Sequence, residues 1–283
     1  MSILLVDIGN TRIKWASLTD SRLGRQRAAV HRQWGVREFE RNVLGSAGTP
    51  RRILVSSVAG PRTNRLLVRA ARRAGLVTPQ FVKTVRRAAG VTTRYEEPWR
   101  LGVDRFVAVI GAYHLARGRP ACVISIGTAL TVDLVDETGR HEGGAIVPGP
   151  EMMVASLLTR TNGIRQRAGK LGAMLLRAGR LLPAVPDDVR SRCRGRQAAG
   201  ALFARSTHAA VEQGARYAVA AMVDRAVEEA RKVAGRRLLV ILTGGGADAV
   251  RPLIRSPHES VADLVLRGLA AIAGDEAAVR AVI

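Results

Sequence analysis

Aromatic residues are scarce, at 4% of the 283 residues. The cores must be filled by Leu, Val, Ile and Ala, and the 47% hydrophobic content supplies enough of them. Cysteine is rarer still. Cys122 and Cys193 have neither metal-ligand spacing nor the density of a disulfide scaffold. No apolar run of about 18 residues is free of charges and breakers, so no transmembrane helix is read. The opening MSILLVDIGN lacks a basic stretch and carries Asp7 within its apolar run, which argues against a signal peptide. A cytoplasmic location is the expectation. Acidic residues are in short supply, with 23 Asp and Glu against 45 Lys and Arg, a net charge of +22. Lysine is nearly absent (four residues), so arginine carries that charge. The arginines are spread over the whole length, without a basic tail or the basic–aromatic interleaving of single-strand binders. No specific nucleic-acid partner is read from this distribution, although so basic a surface attracts polyanions nonspecifically. There is no Ser/His/Asp nucleophile arrangement and no His/Cys metal cluster. There is also no G-x-G-x-x-G after the first strand and no G-x-x-x-x-G-K-[ST].

What is present is an alternation of strands and helices. Residues 3–8 form an apolar run with Asp7 near its end, Gly9-Asn10 marks a turn, and 13–18 reads as a second strand. Residues 52–59 read as a strand and 62–74 as a basic amphipathic helix stopped at Gly75. Residues 79–85 read as a strand and 86–101 as loop. Residues 102–118 read as a helix with Asp104 in its first turn and Phe106, Val109, Ile110 and Tyr113 on its buried face. A boundary is expected at 117–120, dividing the chain into 1–117 and 118–283. Beyond it the opening pattern recurs. Residues 122–135 again read as strand, Gly-Thr turn and strand, and 143–149 supply a third strand. Residues 151–235 read as mostly helical with a break near 183–188. Residues 236–250 return to strand, glycine turn and helix start, and 261–274 form a last helix. The expected fold is α/β, with two related domains.

Three glycine-containing turns follow apolar strands: Asp7-Ile8-Gly9-Asn10-Thr11, Gly127-Thr128-Ala129 and Thr243-Gly244-Gly245-Gly246. Glycine lets the backbone approach a bulky anion, and successive N–H groups with the Thr11 and Thr128 hydroxyls can donate to phosphate oxygens. Asp7 cannot hold a phosphate directly. Its natural role is to hold a hydrated Mg²⁺ that bridges phosphates. Lys14 can offset phosphate charge. Asp104 is the candidate base, beside Arg105 near a helix start and after Gly102; the bland alternative is a carboxylate complementing the helix dipole. Asp133 is either structural or supports a cation. Tyr95 is a substrate donor or a loop anchor, and His141 reads as a satisfied structural histidine.

These motifs resemble the type III pantothenate kinases of the acetate kinase–hexokinase–actin fold group. The carriers are DIGNTRIKWA (7–16), YEEPWRLGVDRFVAVIGAY (95–113), GTALTVDLVDETGRHEGGAIVPG (127–149), TGGGAD (243–248) and LVLRGL (264–269), in the family order. The resemblance implies two ribonuclease H-like (actin-like ATPase) domains with mixed central sheets and an interdomain nucleotide cleft. It implies ATP-dependent phosphorylation of pantothenate, the first step of coenzyme A synthesis, by a homodimer that uses Mg²⁺ and a monovalent cation, K⁺ or NH₄⁺. On the same basis Asp7, Gly9, Asn10, Thr11 and Lys14 form the first phosphate motif. Gly127, Thr128, Ala129 and Thr131 form the second, and Gly244-Gly245 lie on the nucleotide side. Asp104 is implied as the base. Tyr95, Gly102, Val103 and Arg105 are implied at the acceptor site, with Cys193 in a position where the family often has threonine. Three further departures stand out. Ser125 replaces a common aspartate two residues before Gly127, Arg196 falls where alanine is usual, and Glu142 falls where the family is apolar. The competing readings are a regulatory or nucleic-acid-associated protein on a kinase-derived fold, and a kinase for another small hydroxy acid.

Overall fold

The computed structural model describes residues 2–46, 48–168 and 202–283. A continuous aliphatic run, buried on both faces, forms β1 (Ser2–Ile8), which makes a hairpin with β2 (Arg12–Thr19), with Asp7 opposite Lys14 and Ile8 opposite Ile13. The short β3 (Arg22–Leu23) and β4 (Arg27–Val30) both pair with β2. After helix α1 (Val36–Phe39), β5 (Arg52–Ser57) lies parallel to β1 on its other side. Helix α2 (Pro61–Arg73) begins with proline and is followed by Gly75 at φ +67, as the sequence suggests. It leads to β6 (Gln80–Phe81), parallel to β5. The strand expected over 79–85 is cut to two residues because its neighbours bond elsewhere: Lys83 N–H donates to Val282 O at 2.7 Å and Thr84 Oγ1 to Leu101 O at 2.8 Å.

The stretch expected to be loop, 86–101, contains β7 (Arg87–Ala88) and β8 (Val91–Thr93), hinged at Gly90 with φ +83. Strands this short leave no period to read. Helix α3 (Val103–Ala116) follows, then β9 (Ala121–Ile126), β10 (Ala129–Val135) and β11 (Arg140–Pro148). Helices α4 (Pro150–Arg160), α5 (Asn162–Arg167) and α6 (Thr207–Ala234) precede β12 (Leu239–Thr243), α7 (Ala247–Val250) and β13 (Glu259–Ser260). The chain closes with α8 (Leu264–Ala273) and α9 (Glu276–Val282). The sequence reading stopped at one terminal helix. The second is capped by Asp275, whose Oδ1 accepts from the N–H groups of Ala277 and Ala278 at 2.9 and 3.0 Å. The break expected near 183–188 lies outside the described residues.

The duplication is clearest in the strand order. The first sheet runs β3-β2-β1-β5-β6 and the second β13-β12-β9-β10-β11-β8-β7. In each, the opening strand has an antiparallel hairpin partner on one side and a parallel strand on the other. Helix α3 does not have one buried face, as the sequence pattern suggested; every residue from Arg105 to Ala112 is buried. The reason is its location. A single apolar cluster joins Leu5 and Leu54 of the first sheet, Val123 and Ile241 of the second, and Phe106, Ile110, Leu266 and Leu269 of α3 and α8. The two helices touch backbone to backbone. A Cβ on Gly268 would stand 1.9 Å from Val107 O, and one on Gly111 would stand 2.4 Å from Leu264 O.

Candidate active site

Side chains alternate along β1, so Asp7 shares the face of Leu5, which packs toward α3. In register it is flanked by Lys14 on β2 and Ser56 on β5, a row across the end of the sheet. Asp7 is 9% exposed. Burial pushes its carboxyl up to about 7, against the pull of Lys14 and with a further push from the charge of Asp104. The Ser56 hydroxyl beside it is buried without a hydrogen-bond partner. Lys14 Nζ donates to Ala262 O at 3.1 Å. The turn after Asp7 is closed by Gly9 N–H donating to Arg12 O at 3.0 Å and braced by His31 Nε2, 2.7 Å from Gly9 O.

The second sheet presents the matching row Thr131–Ser125–Thr243. Where the first row has a carboxylate and an ammonium, this one has hydroxyls alone. Its turn is closed by Gly127 N–H donating to Ala129 O at 2.9 Å, and Thr128 O accepts from Gly149 N–H at 2.9 Å. The third turn is fastened to the second. Gly246 N–H donates to Ile126 O at 2.9 Å, and Gly244, at φ +99, passes so close that a Cβ would stand 2.2 Å from the same oxygen. Arg12 connects the first turn to the third: its Cδ lies 3.4 Å, and its Nη1 3.7 Å, from where a Cβ on Gly245 would stand. The three turns therefore converge. Arg12 is the residue the sequence reading missed. Its signal was its place directly after Thr11, two positions from Lys14 and so on the same side of β2.

The α3 N-terminus completes the site. Gly102 is its extended N-cap and Val103 its first residue. Asp104 Oδ1 accepts the Arg105 N–H at 2.8 Å. Burial raises its carboxyl above the usual range, opposed by that hydrogen bond and by the Arg105 charge. Arg105 forms a side-on pair with Asp133, Nε to Oδ2 at 2.9 Å and Nη2 to Oδ1 at 2.7 Å, and Nη1 donates to the Tyr95 hydroxyl at 3.0 Å. Both oxygens of Asp133 are thus engaged, and Oδ1 also meets His141 Nε2 at 2.9 Å. That favours the structural role for Asp133 over a cation site. The pair also dictates Gly144, where a Cβ would stand 2.7 Å from Arg105 Nη2 and 2.0 Å from Val132 O. Glu142 is paired with Arg94 at 2.5 Å and Arg140 at 2.7 Å. Cys122 is buried, which pushes its thiol up to about 12 and leaves it inert. Cys193 and Arg196 lie outside the described residues.

Among the described residues no group of three or more His, Cys, Asp or Glu is arranged to hold a metal. A magnesium ion that arrives on nucleotide phosphates needs only one or two carboxylates. Asp7 fits that demand, because a cation beside it would favour the charged form that burial disfavours. No helix among the described residues is long and apolar enough to cross a membrane.

Residues 3–229 match a family model described as type III pantothenate kinase. A protein of that name from Nitrosococcus oceani is 30% identical over 282 residues, covering 98% of this chain and 96% of its own. Another from an Azoarcus species is 35% identical over 286 residues, covering 98% and 92%. Among solved structures, component A of (R)-2-hydroxyglutaryl-CoA dehydratase from Acidaminococcus fermentans superposes with a TM-score of 0.50 at 14% identity, covering 99% of this chain and 97% of its own. That likeness concerns the fold alone: two mixed-sheet domains of the actin–hexokinase kind.

Proposed function

The chain belongs to the type III pantothenate kinase family, and we propose that Asp104 is the base of its reaction. The enzyme phosphorylates pantothenate with ATP, the first step of coenzyme A biosynthesis. The observation that carries the assignment is the position of Asp104. It stands at the start of α3, within electrostatic reach of Asp7 in the first turn and next to the Arg105–Tyr95 pair. A carboxylate there accepts the proton of the acceptor hydroxyl as the new O–P bond forms. Its elevated proton affinity suits that task.

The nucleotide side follows from the turns. The N–H groups of Gly9 and Gly127 close their own turns, and that of Gly246 is spent on Ile126 O. The donors we assign to phosphate oxygens are therefore the amides of Asn10, Thr11, Thr128 and Gly245, with the Thr11 and Thr128 hydroxyls. Ala129 and Gly244 shape the turns, and Arg12 joins the phosphate ligands. Asp7 would hold the Mg²⁺ of the nucleotide, which supplies charge neutralisation across the phosphates. Lys14 balances Asp7 and ties β2 to the segment before α8. Tyr95, Gly102, Val103 and Arg105 line the acceptor side. The monovalent cation, the homodimer and the contribution of Cys193 belong to the same proposal, on the family resemblance. The division of the chain at residue 117 belongs to it as well, with α8 and α9 returning to the first sheet.

The test is ADP release with and without pantothenate and with and without K⁺, with the product identified by mass. Pantothenate-dependent release of one ADP per phosphopantothenate is the expected result. Turnover that needs no small hydroxyl acceptor would overturn the reading.

A further inference from the structure

Behind the acceptor side lies a closed ring of contacts that holds Arg105 and Tyr95 in place. Starting from Tyr95, its backbone N–H donates to Thr93 Oγ1 at 3.2 Å. Thr93 Oγ1 lies 3.1 Å from His141 Nδ1, and His141 Nε2 lies 2.9 Å from Asp133 Oδ1. Asp133 takes both Nε and Nη2 of Arg105, whose Nη1 returns to the Tyr95 hydroxyl. The Tyr95 ring stacks on His141 at 5.8 Å and 10°, and the Arg105 guanidinium sits 5.8 Å from the same ring. Thr93, Asp133, His141 and Arg105 are 1%, 1%, 0% and 7% exposed.

One tautomer satisfies every member. Thr93 Oγ1 accepts from Tyr95 N–H, so its own proton can go to His141 Nδ1, and the Nε2 proton then points at Asp133. The ring also decides what Arg105 has left to offer. A guanidinium has five N–H groups, and three are used within the ring. One N–H on each Nη has no partner within the ring and is left to donate to an acid group of the acceptor.

We propose that His141 is a positioning residue for acceptor binding: through Asp133 and Thr93 it fixes the Arg105–Tyr95 pair that meets the acid end of the acceptor. Without His141, Asp133 loses a donor and Tyr95 loses its stacking partner, so the two groups that hold Arg105 are themselves held less firmly. The nucleotide turns make none of these contacts, although the second turn opens β10, the strand that carries Asp133. The proposal rests on the pantothenate kinase reading. If the unaltered enzyme shows no pantothenate-dependent turnover, that reading fails; if it turns over and the variants below behave like it, only this proposal fails.

The experiment is steady-state kinetics of His141→Leu, His141→Gln and Thr93→Val, with KM measured separately for pantothenate and ATP. His141→Leu should raise the pantothenate KM about tenfold or more while the ATP KM stays within about twofold. His141→Gln keeps a donor and an acceptor and should recover most of the loss. Thr93→Val keeps the shape while removing one link, and should fall between them even if His141→Leu does not fold. An unchanged pantothenate KM in the variants, or equal rises in both KM values, would overturn the proposal, since general loosening moves both substrates alike.

Discussion

At the scale of single residues, the proposed site rests on two carboxyls that burial pushes in the same direction, for different uses. Asp104→Asn removes the proton acceptor and keeps the shape. It should lower kcat by about 10²–10⁴ while ATP binding, followed by calorimetry, is retained. Normal turnover in that variant would remove Asp104 from the chemistry. Asp7 predicts a pH dependence. Its folded value near 7 lies above the ordinary 3.8, so the stability it allows is fully present below about 3.8 and lost as pH rises through 7. Asp7→Asn should therefore melt higher than the unaltered, ligand-free protein at about pH 8, with the gap closing toward about pH 4. Mg²⁺ activation should weaken as pH falls below about 7, because a protonated Asp7 cannot hold the cation. Thermal melts and Mg²⁺ titrations across that range test both. The residues of the turns were legible in the sequence because aspartate, glycine and threonine signal a tight turn locally. The ring around His141 was not. Arg105 and Asp133 are 28 residues apart, Thr93 and His141 are 48 apart, and no local pattern announces such a meeting.

At the scale of elements, the α3–α8 contact is the tightest joint. Gly268→Ala would drive a methyl into Val107 O, which is backbone and cannot swing aside. The helices must separate, at about 1–3 kcal/mol for ordinary overpacking and more where backbone is the obstacle. A melting temperature lower by several degrees is the expected readout, and a melt indistinguishable from the unaltered protein would show that the helices can give way. The position of α3 was read correctly from its sequence, but its environment was not. Four apolar positions suggested one buried face, whereas packing between two sheets buries it all round. The strands β7 and β8 escaped notice for the opposite reason: they carry almost no pattern and exist because β11 offers an edge.

At the scale of the whole molecule, the proposed reaction needs the two sheets to act on one ligand. Arg12 leaves the first sheet and reaches the glycine turn of the second. Arg12→Gln should raise the ATP KM about tenfold, the loss of one charge-assisted hydrogen bond, with little effect on the pantothenate KM. An unchanged ATP KM would mean that Arg12 only lies near the site. The shared apolar cluster makes a second prediction. Trp15 and Trp34 pack with Phe39 under the first sheet, so tryptophan emission reports mainly on that half, although Trp99 is exposed elsewhere. Calorimetry reports on the whole chain. The two midpoints should coincide, because neither sheet can lose the α3–α8 layer without the other. A separate, earlier emission change would show that the halves melt independently.

The same layer has a consequence for how the protein is made. The first sheet is complete in strands once β6 has been synthesised, yet one of its faces is covered by α8 and α9. Val282 O even accepts the Lys83 N–H beyond β6. Those helices leave the ribosome after every strand of the second sheet. Until α8 and α9 emerge, the apolar surface around Leu5 and Leu54 therefore has only α3 of its eventual helical cover, and is suited to chaperones or to aggregation.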